Sequence, residues 1–280
     1  MKKKIIATIV IAGSVLMAGC SSVPVTGRKQ MLLVSDQEVL TLSLQQYDEF
    51  MKTASKSTNT TNTALVVKVG KNIAAAVETY LKNNGYESML SEFAWEFNLV
   101  KSDEVNAFCM PGGKIVVYEG ILPVTQNETG LAVVLGHEVA HAVAKHANER
   151  MSTQIVTQYG TTAAGTLLSG SSAATQQIAS AALGLGAQYG IMLPYSRKQE
   201  LEADKLGLIF MAMAGYDPSQ AAAFWQRMSQ NSTGGTLEFM STHPSDNTRI
   251  QKIQEALPEA LKYYGKTPTN STKTSNEWKF

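Results

Sequence analysis

Leu131-Ala-Val-Val-Leu-Gly-His137-Glu138-Val139-Ala140-His141-Ala-Val-Ala144 decides the fold, because two histidines stand four apart inside an almost wholly apolar run. On a helix, residues i and i+4 lie one above the other, about 5–6 Å apart, so both imidazoles can reach one metal ion at about 2.0–2.1 Å. Glu138 lies one place further round, where it can take a proton from an attacking water without binding the metal itself. A helix apolar on almost every side is a buried one. Its two histidines and its carboxylate must be satisfied away from water, and one divalent cation does this for all three. The pattern points to zinc-dependent hydrolysis.

A catalytic zinc keeps three protein ligands and one open position, so a third ligand has to come from elsewhere. The places where a metzincin carries its glycine and third histidine are Ala144 and Ala147, which excludes that class. His146, five residues past His141, is expected off the ligand face in a structural or helix-end role. The best carboxylate is Glu200 in Ser196-Arg-Lys-Gln-Glu200-Leu-Glu202-Ala-Asp204, where Glu200 and Asp204 share a helix face and Glu202 is expected to point away. One of the pair binds metal and the other, Asp204, accepts the free ring N–H of a ligand histidine.

Gly136-His-Glu-Val-Ala-His141, Glu200-Leu-Glu-Ala-Asp204 and Thr242-His243-Pro244 together resemble the HtpX-like and CAAX-prenyl-endopeptidase family of gluzincin zinc metallopeptidases. The likeness is to its soluble branch of periplasmic lipoprotein peptidases, related to mitochondrial Oma-type proteases. Val105-Asn-Ala-Phe108 and Gly113-Lys-Ile-Val-Val-Tyr-Glu-Gly120 resemble that family's strand segments ahead of the active helix, so the likeness covers about residues 28–257. The resemblance implies one Zn²⁺ held by His137, His141 and Glu200, with Glu138 as base, His243 as a transition-state donor and Asp204 as supporting acid. An extended substrate would pair with the sheet edge near Asn106 and Ala107. The implied substrates are unfolded or misassembled cell-envelope proteins. The rival in another class is a zinc-bound chaperone or assembly factor with little proteolysis. A structural zinc module fits poorly, since such sites are closed by four Cys or His ligands.

The N-terminus reads as a lipoprotein signal peptide: Lys2-Lys3-Lys4, an apolar run from Ile5 to Met17, then Ala18-Gly19-Cys20 as the cleavage and lipidation point. Removing residues 1–19 takes away three lysines and no acid, moving the net charge from +1 to −2. Nothing strongly basic is left to attract nucleic acid. These features place the chain in the bacterial envelope, lipid-anchored and facing the periplasm. Ser21 after Cys20 lacks the acidic residue that retains such lipoproteins in the inner membrane, which by family analogy favours the outer one.

The expected organisation is a tether over 20–34, one metallopeptidase domain over 35–266 and a disordered tail over 267–280. The fold class is α+β, mainly helical, with a small sheet preceding the His137–His141 helix. Ser35-Asp-Gln-Glu38 opens a helix with a capping-box pattern. A second helix is expected near 64–82, and Phe93–Leu99 alternates as a half-buried strand followed by another at Lys114–Tyr118. The Ala/Gly/Ser/Thr-rich stretch 151–193 leaves two readings open, a helical lid or membrane-surface contact, and a packed helical pair. Asp217-Pro218 caps a helix, and the last helix is expected to be interrupted by Pro258. Cys109 reads as a small buried hydrophobe with a free thiol.

Overall fold

The structure, a computed structural model, describes residues 20–24, 26–167, 182, 195–231, 238–243, 247–266 and 278. The signal peptide, most of the 168–193 stretch and most of the tail lie outside these residues. A hairpin of strands β1 (Cys20–Ser22) and β2 (Lys29–Met31) is followed by helix α1 (Asp36–Thr53), capped by Ser35, whose side chain accepts from the Glu38 amide. Helix α2 (Thr60–Asn83) starts four residues before the expected onset near residue 64, because the Asn59 side chain caps the Asn62 amide.

The sheet has strands β3 (Glu96–Val100), β4 (Ala107–Met110) and β5 (Lys114–Tyr118) in the order β3-β5-β4. Strand β3 runs parallel to β5 and β4 antiparallel to it, with Ala107 opposite Val117. Strand β4 is therefore an edge. Gly112 and Gly113 take φ of +91° and +80° in the β4–β5 turn, a backbone conformation that side chains disfavour. Both faces of the sheet are covered. Leu99, Ala107, Cys109, Ile115 and Val117 face the main core with α2, while Val100, Phe108, Met110 and Val116 pack against α1 through Val39, Leu42 and Phe50. This is why β3 is not the alternating strand expected: Asn98, Leu99 and Val100 are all buried, and residues 93–95 stay outside it.

A short helix α3 (Leu122–Thr125) leads into α4 (Glu128–Val143), whose N-cap Asn127 accepts from the Gly130 amide. Leu131, Val134, Leu135, Val139, Ala140 and Val143 are completely buried, as a helix apolar all round requires. After Lys145 at φ +56° the chain turns into α5 (His146–Leu167). Helix α6 (Arg197–Met213) begins with a full capping box between Ser196 and Gln199 and lies along α4. Helix α7 (Ala221–Asn231) follows a 3₁₀ turn capped by Asp217. Next come α8 (Glu238–Thr242) and α9 (Asn247–Ala260). Pro258 does not interrupt α9. It stands in the last turn, and the helix ends two residues later.

The architecture is α+β and mainly helical, with the small sheet ahead of the buried helix. The tail departs from expectation at Trp278, which is buried and donates from Nε1 to Thr125 Oγ1 at 2.8 Å. No described helix is long and apolar enough to cross a membrane.

Candidate metal centre

Helices α4 and α6 cross where both backbones carry glycine. A Cβ added at Gly136 would lie 2.8 Å from the Gly207 carbonyl oxygen, and one at Gly207 would lie 2.8 Å from the His137 amide nitrogen. This close approach puts the next turn of α4, with both histidines, against the first turns of α6, with Glu200 and Asp204.

His137 Nε2 and His141 Nε2 are 3.0 Å apart, and Glu200 lies 3.5 Å from the former and 3.3 Å from the latter. Bonds of 2.0–2.1 Å in a tetrahedron place ligand atoms about 3.3 Å from one another. The three donors therefore have the spacing of ligands around one small cation. His243 Nδ1 completes the group, 3.2 Å from His137 Nε2 and 3.1 Å from Glu200 Oε1. The four donors lie within 4.8 Å of one another and all four residues are buried.

Proton placement makes the same point. His137 Nδ1 lies 2.9 Å from Asp204 Oδ1, and an ionised carboxylate only accepts, so Nδ1 carries the proton and Nε2 is bare. His146 Nε2 lies 2.9 Å from Glu202 Oε2 and must donate to it, leaving His146 Nδ1 to accept from His141 Nδ1 at 2.8 Å. His141 Nε2 is then bare as well. Two lone pairs aimed at each other across 3.0 Å repel unless a cation lies between them. The residues present fit a zinc ion.

Glu138 Oε1 is buried without a hydrogen-bond partner and lies 3.5 Å from His243 Nε2. Burial pushes its carboxyl above the usual range, against the pull of His243 and His137. Burial also raises Glu200, but the charges of His243, Arg249 and His137 outweigh it and hold that carboxyl well below its usual range. Burial lowers His141 well below the ordinary histidine value. His137 goes the other way, to about 9: burial and Arg249 lower it, and Glu200 and Asp204 more than offset them. The negative charge that would hold a proton there equally holds a dication.

Arg249 is the group that reasoning from the sequence did not single out. It is buried, grips Asp204 with Nε and Nη2 at 2.7 and 2.8 Å, and reaches Glu200 Oε2 with Nη1 at 2.7 Å. Its guanidinium lies 3.8 Å from the Trp225 ring centre, and Trp225 packs edge-on to His137. Tyr195 stacks on His141, 3.9 Å between ring centres, with Arg150 on it at 3.9 Å.

A sequence model of peptidase family M48 matches residues 69–257, more than half of the chain. The chain belongs to peptidase family M48. It is 44% identical over 177 residues to the mitochondrial metalloendopeptidase OMA1 of Schizosaccharomyces pombe, covering 62% of this chain and 50% of the relative. To OMA1 of Saccharomyces cerevisiae it is 30% identical over 275 residues, covering 92% of this chain and 77% of the relative. A beta-barrel assembly-enhancing protease of Yersinia pestis is 32% identical over 162 residues, covering 56% of this chain and 33% of that protein. The M48 assignment makes the protein a zinc metallopeptidase.

Within this M48 site, Glu202 and His146 both stand off the metal face, as expected. Glu202 points away from the Glu200–Asp204 face but not into solvent: it is 7% exposed and bonded to His146, Arg28 and Thr26, because a third element covers the flank of α6. Of its two expected roles His146 takes the structural one rather than one at the end of α4. It opens α5, is fully buried, and meets His141 from behind, with burial keeping it below the usual histidine value despite Glu202. His243 stands among the metal donors themselves. Cys109 is a buried free thiol, pushed up by burial and by the charge of Glu138.

Asn106 and Ala107 lie at the start of the edge strand β4, Asn106 half-buried and the Ala107 side chain buried. The Asn106 carbonyl accepts from the Tyr118 amide at 3.1 Å. In an antiparallel ladder the next residue then turns its amide to the free edge, and Asn106 Oδ1 accepts from the Ala107 amide there at 2.9 Å.

Proposed function

We propose that this zinc metallopeptidase is an endopeptidase of the bacterial cell envelope, tethered by lipid on Cys20, that hydrolyses unfolded or misassembled envelope proteins. One observation carries the reading: the unpartnered oxygen of Glu138 lies 3.5 Å from His243, one of the four clustered donors, on a helix that packs against the edge strand β4, whose only strand partner among the described residues is β5. An edge strand binds extended chain through main-chain hydrogen bonds with little sequence preference, and only unfolded protein offers such chain freely. The Yersinia relative, named for assembly of beta-barrels, supports envelope substrates. The lysine-led apolar run ending at Cys20 supports the tether and an outer-membrane address.

His137, His141 and Glu200 would hold the zinc, which when bound would supply a Lewis acid for the scissile carbonyl and for water. Asp204, held by Arg249, fixes the His137 tautomer. Glu138 accepts a proton from the attacking water and hands it to the leaving amine. The backbone of Asn106 and Ala107 receives the substrate strand, displacing the Asn106 side chain from the Ala107 amide. His243, beside Glu138 and the other donors, would donate its ring N–H to the developing oxyanion.

The test is incubation of the purified protein with an alkylated, permanently unfolded protein, with and without chelator. Zinc-dependent fragments from wild type and none from Glu138→Gln are expected. Binding of the unfolded chain without fragments would replace the peptidase reading with that of a chaperone.

A further inference from the structure

We propose that the N-terminal segment carrying Thr26 and Arg28 is a working part of the metal centre, and that Arg28, Glu202 and His146 are positioning residues for the zinc ligand His141. The inference rests on the reading of His141 as a ligand. His141 Nδ1 donates to His146 Nδ1 at 2.8 Å, and His146 Nε2 donates to Glu202 Oε2 at 2.9 Å. Arg28 Nε holds the same Glu202 oxygen at 2.7 Å, and Thr26 Oγ1 donates to the other. Each ligand histidine is thus backed by a carboxylate, and each carboxylate by an arginine: Asp204 and Arg249 directly behind His137, Glu202 and Arg28 one imidazole further behind His141.

The relay matters because a histidine has two tautomers and only one presents a bare Nε2. Glu202 as a carboxylate forces its proton partner to be His146 Nε2–H, which forces His146 Nδ1 to accept, which forces the proton of His141 onto Nδ1. Arg28 and Thr26 hold both oxygens of the Glu202 carboxylate that accepts from His146, so without them the relay behind His141 loses its fixed end.

Arg28 also fixes position. Its Nη1 and Nη2 grip Glu149 in the first turn of α5 at 2.7 and 2.8 Å, and Glu149 Oε2 accepts from Gln199 Nε2, the capping residue of α6, at 2.7 Å. One guanidinium thereby ties the starts of the two helices that flank the centre. The segment is seated along α5 by two further bonds, the Leu33 amide to Ser152 Oγ at 2.8 Å and Asn148 Nδ2 to the Val34 carbonyl at 2.9 Å.

The experiment measures zinc affinity of the full chain by competition with a chromophoric chelator, together with the melting temperature of the zinc-free protein. Arg28→Ala, Glu202→Ala and His146→Leu are each expected to weaken zinc by about 10–100-fold, the range for lost partners of ligand histidines. His146→Gln, whose amide both accepts and donates, is expected to recover most of the loss. Arg28 is 24% exposed, so Arg28→Ala remains testable even if the buried variants unfold. Folded Arg28→Ala and Glu202→Ala proteins with wild-type zinc affinity would overturn the proposal, as would a lowered zinc-free melting temperature with affinity unchanged. Wild-type zinc binding by His141→Ala would instead overturn the ligand assignment beneath it, whatever Arg28→Ala does.

Discussion

Glu138 and Glu200 are both buried carboxylates beside the same imidazoles, yet their surroundings push them in opposite directions. Burial dominates at Glu138 and raises it; neighbouring cationic groups dominate at Glu200 and lower it. One is suited to take and return a proton, the other to stay charged against a metal. Glu138→Gln is therefore expected to bind stoichiometric zinc while turnover falls about 10²–10⁴-fold, checked by metal analysis and initial rates. The base works only deprotonated, so activity should fall as pH drops through its raised value, above the ordinary carboxylate range. That acid limb should vanish from the residual activity of Glu138→Gln. Glu200→Ala and Glu202→Ala separate by kind: the first removes a ligand and should abolish stoichiometric zinc, while the second should leave a weakened site. Equal zinc contents after dialysis against a mild chelator would mean the wrong carboxylate had been assigned.

At the scale of elements, the α4–α6 crossing sets the distance from the histidines to Glu200. A methyl group at Gly207 has no room against the Gly136 carbonyl and the His137 amide, both of which are backbone and cannot turn aside. Gly207→Ala is expected to cost about 1–3 kcal/mol of stability and to weaken zinc binding, because the helices must part. Melting curves with and without zinc would show both effects, and a variant destabilised equally in the two states would separate the crossing from the metal.

The same scale divides what could be read from the sequence from what could not. His137, His141, Glu200 and Asp204 were legible because each pair sits on one helix, where the i, i+4 rule is local. Arg249 and Arg28 carry no such signal: they meet Asp204 and Glu202 across 45 and 174 residues of chain. The partners of Glu202 were hidden for the same reason, since the rule that puts it off the Glu200 face says nothing about what covers its own side. Strand β5 matched its pattern, whereas β3 lost its alternation because helices cover both faces of the sheet.

For the whole molecule, no helix among the described residues is long and apolar enough to cross a bilayer, and the attachment we propose is the lipid on Cys20. One acyl chain holds a protein only marginally and two or more hold it firmly, at about 0.8 kcal/mol per buried CH₂. Cys20→Ser is expected to leave the membrane fraction and, when folded, to keep its zinc and its hydrolysis of unfolded protein. Sedimentation with membranes after a high-salt wash would point to another attachment, such as the 151–193 stretch. The strand edge offered to clients also has to be kept from other copies of the same chain, because any unpaired strand is a template for self-association and self-digestion. Strand β4 is four residues long and stops at Pro111, which has no amide to extend a ladder. Two copies meeting edge to edge would share too few hydrogen bonds to stay together. On the proposed function a client would gain the metal as a further anchor, so the brevity of the edge would keep the enzyme from becoming its own substrate.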